Sequence, residues 1–142
     1  MNLLDFSFPA ELHFLKDILS QIKRLAYPYM PVPKQLFYLE LACEEAIMNI
    51  ISYAYSTGPG TIDISCAVSD ETFDVKIQDE GTSFNPLENS PSTTANSLKD
   101  NSMGGVGLIL LFHAADKTSY RREQNKNILT LSFYIQKSES SS

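Results

Sequence analysis

The sequence predicts an α+β protein, a two-layer sandwich in which helices cover one face of a mixed, mainly antiparallel sheet. Three observations carry that expectation. Apolar residues recur at helical spacing over residues 12–22 and 36–54, and the period falls to two over 62–68 and 73–77. The order of elements is strand, helix, helix, hairpin, long polar stretch, helix, hairpin, which sets adjacent antiparallel strands beside helices that need an apolar surface to cover.

The stretch "NLLDFSF" reads as a first strand, after which Pro9 opens a helix with Leu12, Leu15, Ile18, Leu19 and Ile22 on one face. The prolines of "YPYMPVP" break it. From Lys34 the spacing Leu36, Leu39, Cys43, Ala46, Ile47, Ile50 and Ala54 gives a longer amphipathic helix, closed by "STGPG". Two alternating strands follow, Ile62 to Val68 and Phe73 to Ile77, joined by a turn at Ser69-Asp70-Glu71. Residues 82–103, rich in Ser, Thr, Asn and Pro, read as a lid or long loop, too polar to bury. "GGVGLILLFHAA" restarts as a glycine-led apolar helix, and strands are expected at 117–122 and 128–135. The whole reads as one domain over residues 1–137 with a disordered serine-rich tail at 138–142.

A formal charge of -6 argues against a nucleic-acid or anionic-membrane partner, whose phosphates would be repelled on average. The N-terminus has neither a basic start nor a long apolar run, so a cytoplasmic protein is expected. Cys43 and Cys66 fall on a helix face and in a strand, without metal-ligand spacing around them, and read as reduced core residues.

Polar side chains interrupt the apolar run "LACEEAIMNIISYAY". On a helix, Glu45, Asn49 and Ser52 fall in one stripe away from Cys43, Ile47 and Ile50, whereas Glu44 lies about 140° from Asn49. The plain alternative is a solvated face; the apolar neighbours Leu41, Met48 and Ile51 favour a pocket wall. In "VKIQDEGTSFNP" the inward alternation of Phe73, Val75 and Ile77 ends on Asp79, followed by Gly81. A carboxylate aimed inward needs donors, and an adenine amino group would serve; Gly81 would let backbone approach a ligand. An ordinary turn at a strand end is the rival reading. In "MGGVGL", Gly104, Gly105 and Gly107 precede an apolar helix whose first N–H groups can meet a phosphate. It is neither a Walker nor a Rossmann fingerprint.

Taken in order, these motifs resemble the GHKL (Bergerat) ATP-binding fold, and within it the RsbW/SpoIIAB type of anti-sigma factor serine kinase. "EEAIMN" is similar to the family's N box, "DEGTSFNP" to its first glycine box and "GGVGL" to its second, with the ATP lid between them. The resemblance covers nearly the whole chain. It implies Glu45 as catalytic base, Asn49 as Mg2+ ligand, Asp79 as the adenine reader, and Gly104, Gly105 and Gly107 as phosphate cradle. The chain departs from the family pattern at Met103, where Arg is usual, and at Lys126-Asn127-Ile128, where "GTT" is usual.

What the resemblance implies is a protein serine kinase that uses ATP and Mg2+ to phosphorylate an anti-anti-sigma (STAS-domain) partner and sequesters a sigma factor, as a homodimer. The rivals are a nucleotide-gated binding module without phosphotransfer and a scaffold that binds no nucleotide. His13 and His113 read as structural or surface residues, Arg121 and Arg122 as a solvated strand end, and Tyr27, Tyr29, Tyr53 and Tyr55 as packing or dimer-surface residues.

Overall fold

The structure, a computed structural model, describes residues 1–55, 59–83 and 114–135. Strand β1 (Asn2–Pro9) leads through a 3-10 turn at Leu12–Phe14 into helix α1 (Leu15–Ala26). Pro9 therefore ends a strand and does not open the helix. β1 is an edge strand, where the missing N–H of a proline leaves no ladder bond unmade on a second side. Helix α1 buries Ile18, Leu19, Ile22 and Ala26, the stripe expected from its period, while Leu12 stays exposed outside it.

Helix α2 (Pro33–Asn49) starts with Pro33 in its first turn after an extended Val32, where a fixed φ and a missing N–H suit the helix. It buries Leu39, Ala42, Cys43, Ala46 and Ile47 against the sheet. From Ile50 to Ala54 the winding widens into a π-helical turn. The 100° register that defines the Glu45, Asn49, Ser52 stripe ends there. Asn49 is buried and Ser52 is exposed, so Ser52 does not share the buried side of Asn49.

Strands β2 (Thr61–Val68) and β3 (Thr72–Asp79) form the expected hairpin. Its turn is fixed by Ser69, whose N–H donates to the Thr72 carbonyl at 2.9 Å and whose Oγ accepts the Thr72 N–H at 3.1 Å. Strands β4 (Lys117–Glu123) and β5 (Lys126–Tyr134) form a second hairpin through Gln124 and Asn125. Both turn residues have positive φ, 53° and 65°, the signature of the I′ turn that matches strand twist.

The sheet order is β1-β2-β3-β5-β4, and every pairing among the described residues is antiparallel. The parallel component expected of a mixed sheet has no counterpart there. Two helices lie between β1 and β2, so the chain returns in the opposite sense, whereas a single crossover helix would bring it back parallel. Ile62, Ile64, Cys66, Phe73, Val75, Ile77, Leu129, Leu131 and Phe133 make the inner face, and the helices lie on it. The opposite face carries Asp63, Ser65, Asp74, Lys76, Gln78 and Thr130, half-exposed.

The lid expected at 82–103 is described only as far as Ser83, and Gly104, Gly105, Gly107, Met103, His113 and the tail lie outside the described residues. Of the stretch expected as a glycine-led helix, Ala114 and Ala115 are described, and both are buried. No helix among the described residues is long and apolar enough to cross a membrane.

Candidate functional site

A pocket opens between the end of α2 and strands β3, β4 and β5. Ala46, Asn49, Ile50 and Ala54 form its helical wall, and Ile77, Asp79, Tyr120, Asn127 and Leu129 its sheet wall. Mostly apolar walls with a few fixed polar groups are the usual construction of a small-molecule site.

The inward alternation of β3 puts Asp79 on the buried face as expected, only 5% exposed. Burial pushes its pKa up; the Asn127 amide, the Gly81 N–H and the nearby Arg122 guanidinium oppose that rise by favouring the carboxylate. The Gly81 N–H and Asn127 Nδ2 each donate to Asp79 Oδ1 at 2.9 Å.

Asn127, also 5% exposed, belongs to the Lys126-Asn127-Ile128 stretch where the chain departs from the family pattern at the far edge of the adenine site, and is not itself one of the site residues the resemblance implies. The last strand begins at Lys126, two residues before the expected start, and Asn127 sits in register with Asp79. Counting back by twos from Phe133, Leu131 and Leu129 would have found it. Its Nδ2 also donates to the Thr82 carbonyl at 2.8 Å, and its Oδ1 accepts from Tyr120 Oη at 2.6 Å and Arg122 Nη1 at 3.1 Å. Arg122 also donates to the Gly81 carbonyl at 3.0 Å. The solvated strand end expected here holds for Arg121, paired on the surface with Glu123, whereas Arg122, though exposed, braces the pocket rim.

Gly81 is required for a reason the sequence did not state. A Cβ there would collide with the backbone carbonyl of Ala54, meeting its carbon at 2.6 Å, while the Thr82 N–H donates to the same carbonyl oxygen at 2.8 Å. The end of the helix thus sits directly on the end of β3. Tyr55 adds a second brace: its Oη donates to the Thr61 carbonyl at 2.7 Å and accepts the Glu80 N–H at 2.8 Å. Tyr29 packs against Phe73 with ring centroids 6.4 Å apart, and Tyr27 and Tyr53 remain exposed.

Asn49 is 7% exposed, lines the pocket, and its Nδ2 has no hydrogen-bond partner among the described residues. A buried amide without a partner is costly unless a ligand completes it. Glu45, one turn earlier, is half-buried and does not line the pocket; burial first, and the like charge of Glu44 second, raise its pKa. Glu44 is exposed, on a different side, as the helical spacing indicated. His13 is a surface residue beside Glu11, its ring tilted against that of Phe14. Among the described residues no cluster of His, Cys, Asp or Glu could hold a metal by itself.

Fold and pocket together define a helix-on-sheet binding domain with a buried carboxylate and amide pair at one end of its pocket and a second buried amide on its helical wall. The profile of the histidine kinase-like ATPase domain matches residues 8–133, and the chain belongs to that family. Its relatives include the serine/threonine-protein kinase BtrW of Bordetella bronchiseptica, 34% identical over 96 residues that cover 67% of this chain and 68% of that protein. The serine-protein kinase RsbW of Halalkalibacterium halodurans is 24% identical over 144 positions, covering 96% of this chain and 85% of that one. Among solved structures, the RsbU and RsbW domains of a Mycobacterium tuberculosis protein share the fold at a TM-score of 0.63 and 12% identity. That match covers 94% of this chain, which spans 33% of the larger one. The SiaB–SiaC complex of Pseudomonas aeruginosa contributes a second fold match, TM-score 0.56 at 16% identity, covering 94% of this chain and 91% of that one.

Proposed function

We propose that the chain is an ATP-dependent protein serine kinase of the partner-switching kind, cytoplasmic and dimeric, which phosphorylates a STAS-domain anti-anti-sigma partner and holds a sigma factor. The observation that carries this reading is the buried Asp79, an acceptor held by Asn127 and Gly81 at one end of a pocket whose helical wall presents the buried amide of Asn49. The kinase names of two relatives support the reaction class, and a structural neighbour taken from a two-protein complex supports a protein partner.

In this reading Asp79 Oδ2 accepts the exocyclic amino group of adenine, and the apolar walls Ile50, Ile77 and Leu129 cover the ring. Asn49 fits the role of Mg2+ ligand, because its buried Nδ2 lacks a partner among the described residues and an amide turned over presents its oxygen there instead. Mg2+ would be held mainly by phosphates and water, with one protein oxygen, and would offset charge on the phosphates. Glu45, its basicity raised by burial, takes the proton from the partner's serine hydroxyl as the serine oxygen bonds to the γ-phosphorus and ADP leaves. Gly104, Gly105 and Gly107 supply backbone N–H groups to the phosphates.

A second reading, a nucleotide-gated binding module without phosphotransfer, is favoured by one observation: Glu45 stands outside the pocket lining. Incubation with γ-labelled ATP, Mg2+ and the STAS-domain partner separates the two. Label on a partner serine, lost in Glu45→Gln, supports the kinase; ATP binding without label supports the module. A folded Asp79→Asn variant that binds ATP as tightly as the unaltered protein overturns both.

A further inference from the structure

We infer that Asn127, held from β4 by Tyr120 and Arg122, is the positioning residue that fixes which oxygen of Asp79 is offered to a base and thereby sets the preference for adenine over guanine. The inference rests on the nucleotide reading above and names a determinant beyond it.

The hydrogen bonds of Asn127 leave its amide one orientation. Arg122 can only donate, so the atom facing it is Oδ1; the Thr82 carbonyl can only accept, so the atom facing it is Nδ2. With Tyr120 Oη on the oxygen side and Asp79 Oδ1 on the nitrogen side, both ends of the amide are engaged. A side chain so committed does not read a ligand; it holds the residue that does. Its donation, added to that of the Gly81 N–H, uses Asp79 Oδ1 twice. Among the described residues Oδ2 receives no donor, and it is the oxygen left for a ligand.

This arrangement matters for base choice because a carboxyl group can present either an acceptor or, once protonated and rotated, an O–H donor. Burial favours the protonated form, and the two donors on Oδ1 favour the ionised one. An ionised Asp79 with a fixed Oδ2 welcomes an amino group and repels a carbonyl oxygen at the same place. Without Asn127 the carboxyl can turn and carry a proton, and a guanine carbonyl becomes acceptable.

The test is the ratio of ATP to GTP affinity, measured by calorimetry with Mg2+ on the full chain. The unaltered protein is expected to prefer ATP, Asn127→Ala to lower that preference on the order of tenfold, and Tyr120→Phe, which removes one of the two donors to Asn127 Oδ1 among the described residues, to lower it less. A merely structural role would weaken both nucleotides together and leave the ratio where it was. Asn127→Ala with an unchanged ratio overturns the inference while the nucleotide reading stands. Should circular dichroism show that Asn127→Ala does not fold, Tyr120→Phe decides by the same ratio, an unchanged value again overturning it. A protein that binds neither nucleotide, or both equally, removes its basis, and the first of these outcomes also removes the nucleotide reading.

Discussion

Glu45, the proposed general base, is the residue at which the proposed chemistry and stability pull apart. Its half-burial and the charge of Glu44 raise its pKa above the ordinary 4.5, so between that value and the raised one the folded chain binds more protons than the unfolded chain. The stability that goes with the protonated form is complete below pH 4.5 and is lost as pH rises through the folded pKa. Glu45→Gln, which keeps the shape and cannot ionise, is therefore expected to raise Tm at pH 8 and to leave it unchanged at pH 4, read by circular dichroism at both. The same substitution is expected to lower phosphotransfer by a factor on the order of 10²–10⁴ with little change in ATP affinity, while Glu44→Gln leaves phosphotransfer nearly as it was. At this scale the sequence was legible where one element's period decides an orientation, as for Asp79 at the end of the Phe73, Val75, Ile77 alternation. Tyr120 and Arg122 were not legible, because their bonds to Asn127 depend on the register of β4 against β5, and composition does not state it.

At the scale of elements, the join between α2 and β3 is the most demanding. Gly81 lies under the Ala54 carbonyl, and the obstacle is backbone that cannot swing aside. Gly81→Ala is expected to destabilise by about 1–3 kcal/mol and to weaken ATP binding, since the displaced strand end carries Asp79; urea denaturation and calorimetry check the two effects. The β4–β5 turn offers the opposite change. Gln124 holds a positive φ that a residue with a side chain adopts at a cost, so Gln124→Gly is expected to stabilise by about 0.5–1 kcal/mol, raising the urea midpoint at constant slope. The helices and hairpins themselves were readable from period and punctuation, but their ends were not. Pro9 carries a helix-opening signal and a strand-edge tolerance at once, and only the pairing of Pro9 with Thr61 decides between them. The π turn at Ile50–Ala54 follows an unbroken apolar period and leaves no mark in the sequence.

For the molecule as a whole, the two cysteines report on integrity. Both are free and buried on opposing sides of the helix–sheet interface; burial raises the Cys43 thiol far above its ordinary pKa and pushes Cys66 up to about 12. Thiolate is the reactive form, so alkylation is expected to proceed only through opening of the core. Mg2+ and ATP at about a hundred times the dissociation constant are then expected to slow labelling by about a hundredfold, and a rate indifferent to nucleotide would count against binding to the folded form alone. The bond between Asn127 and Asp79 joins residues 48 apart in the chain, and it exists only once β5 has zipped onto β3. During synthesis the ribosome delivers α2 and Asp79 well before Asn127, so the nascent chain has the helix and the carboxylate before it has the partner that orders them. Nucleotide can reward the finished protein but cannot template it, and a pulse of ATP should rescue folding only after the last strand has emerged.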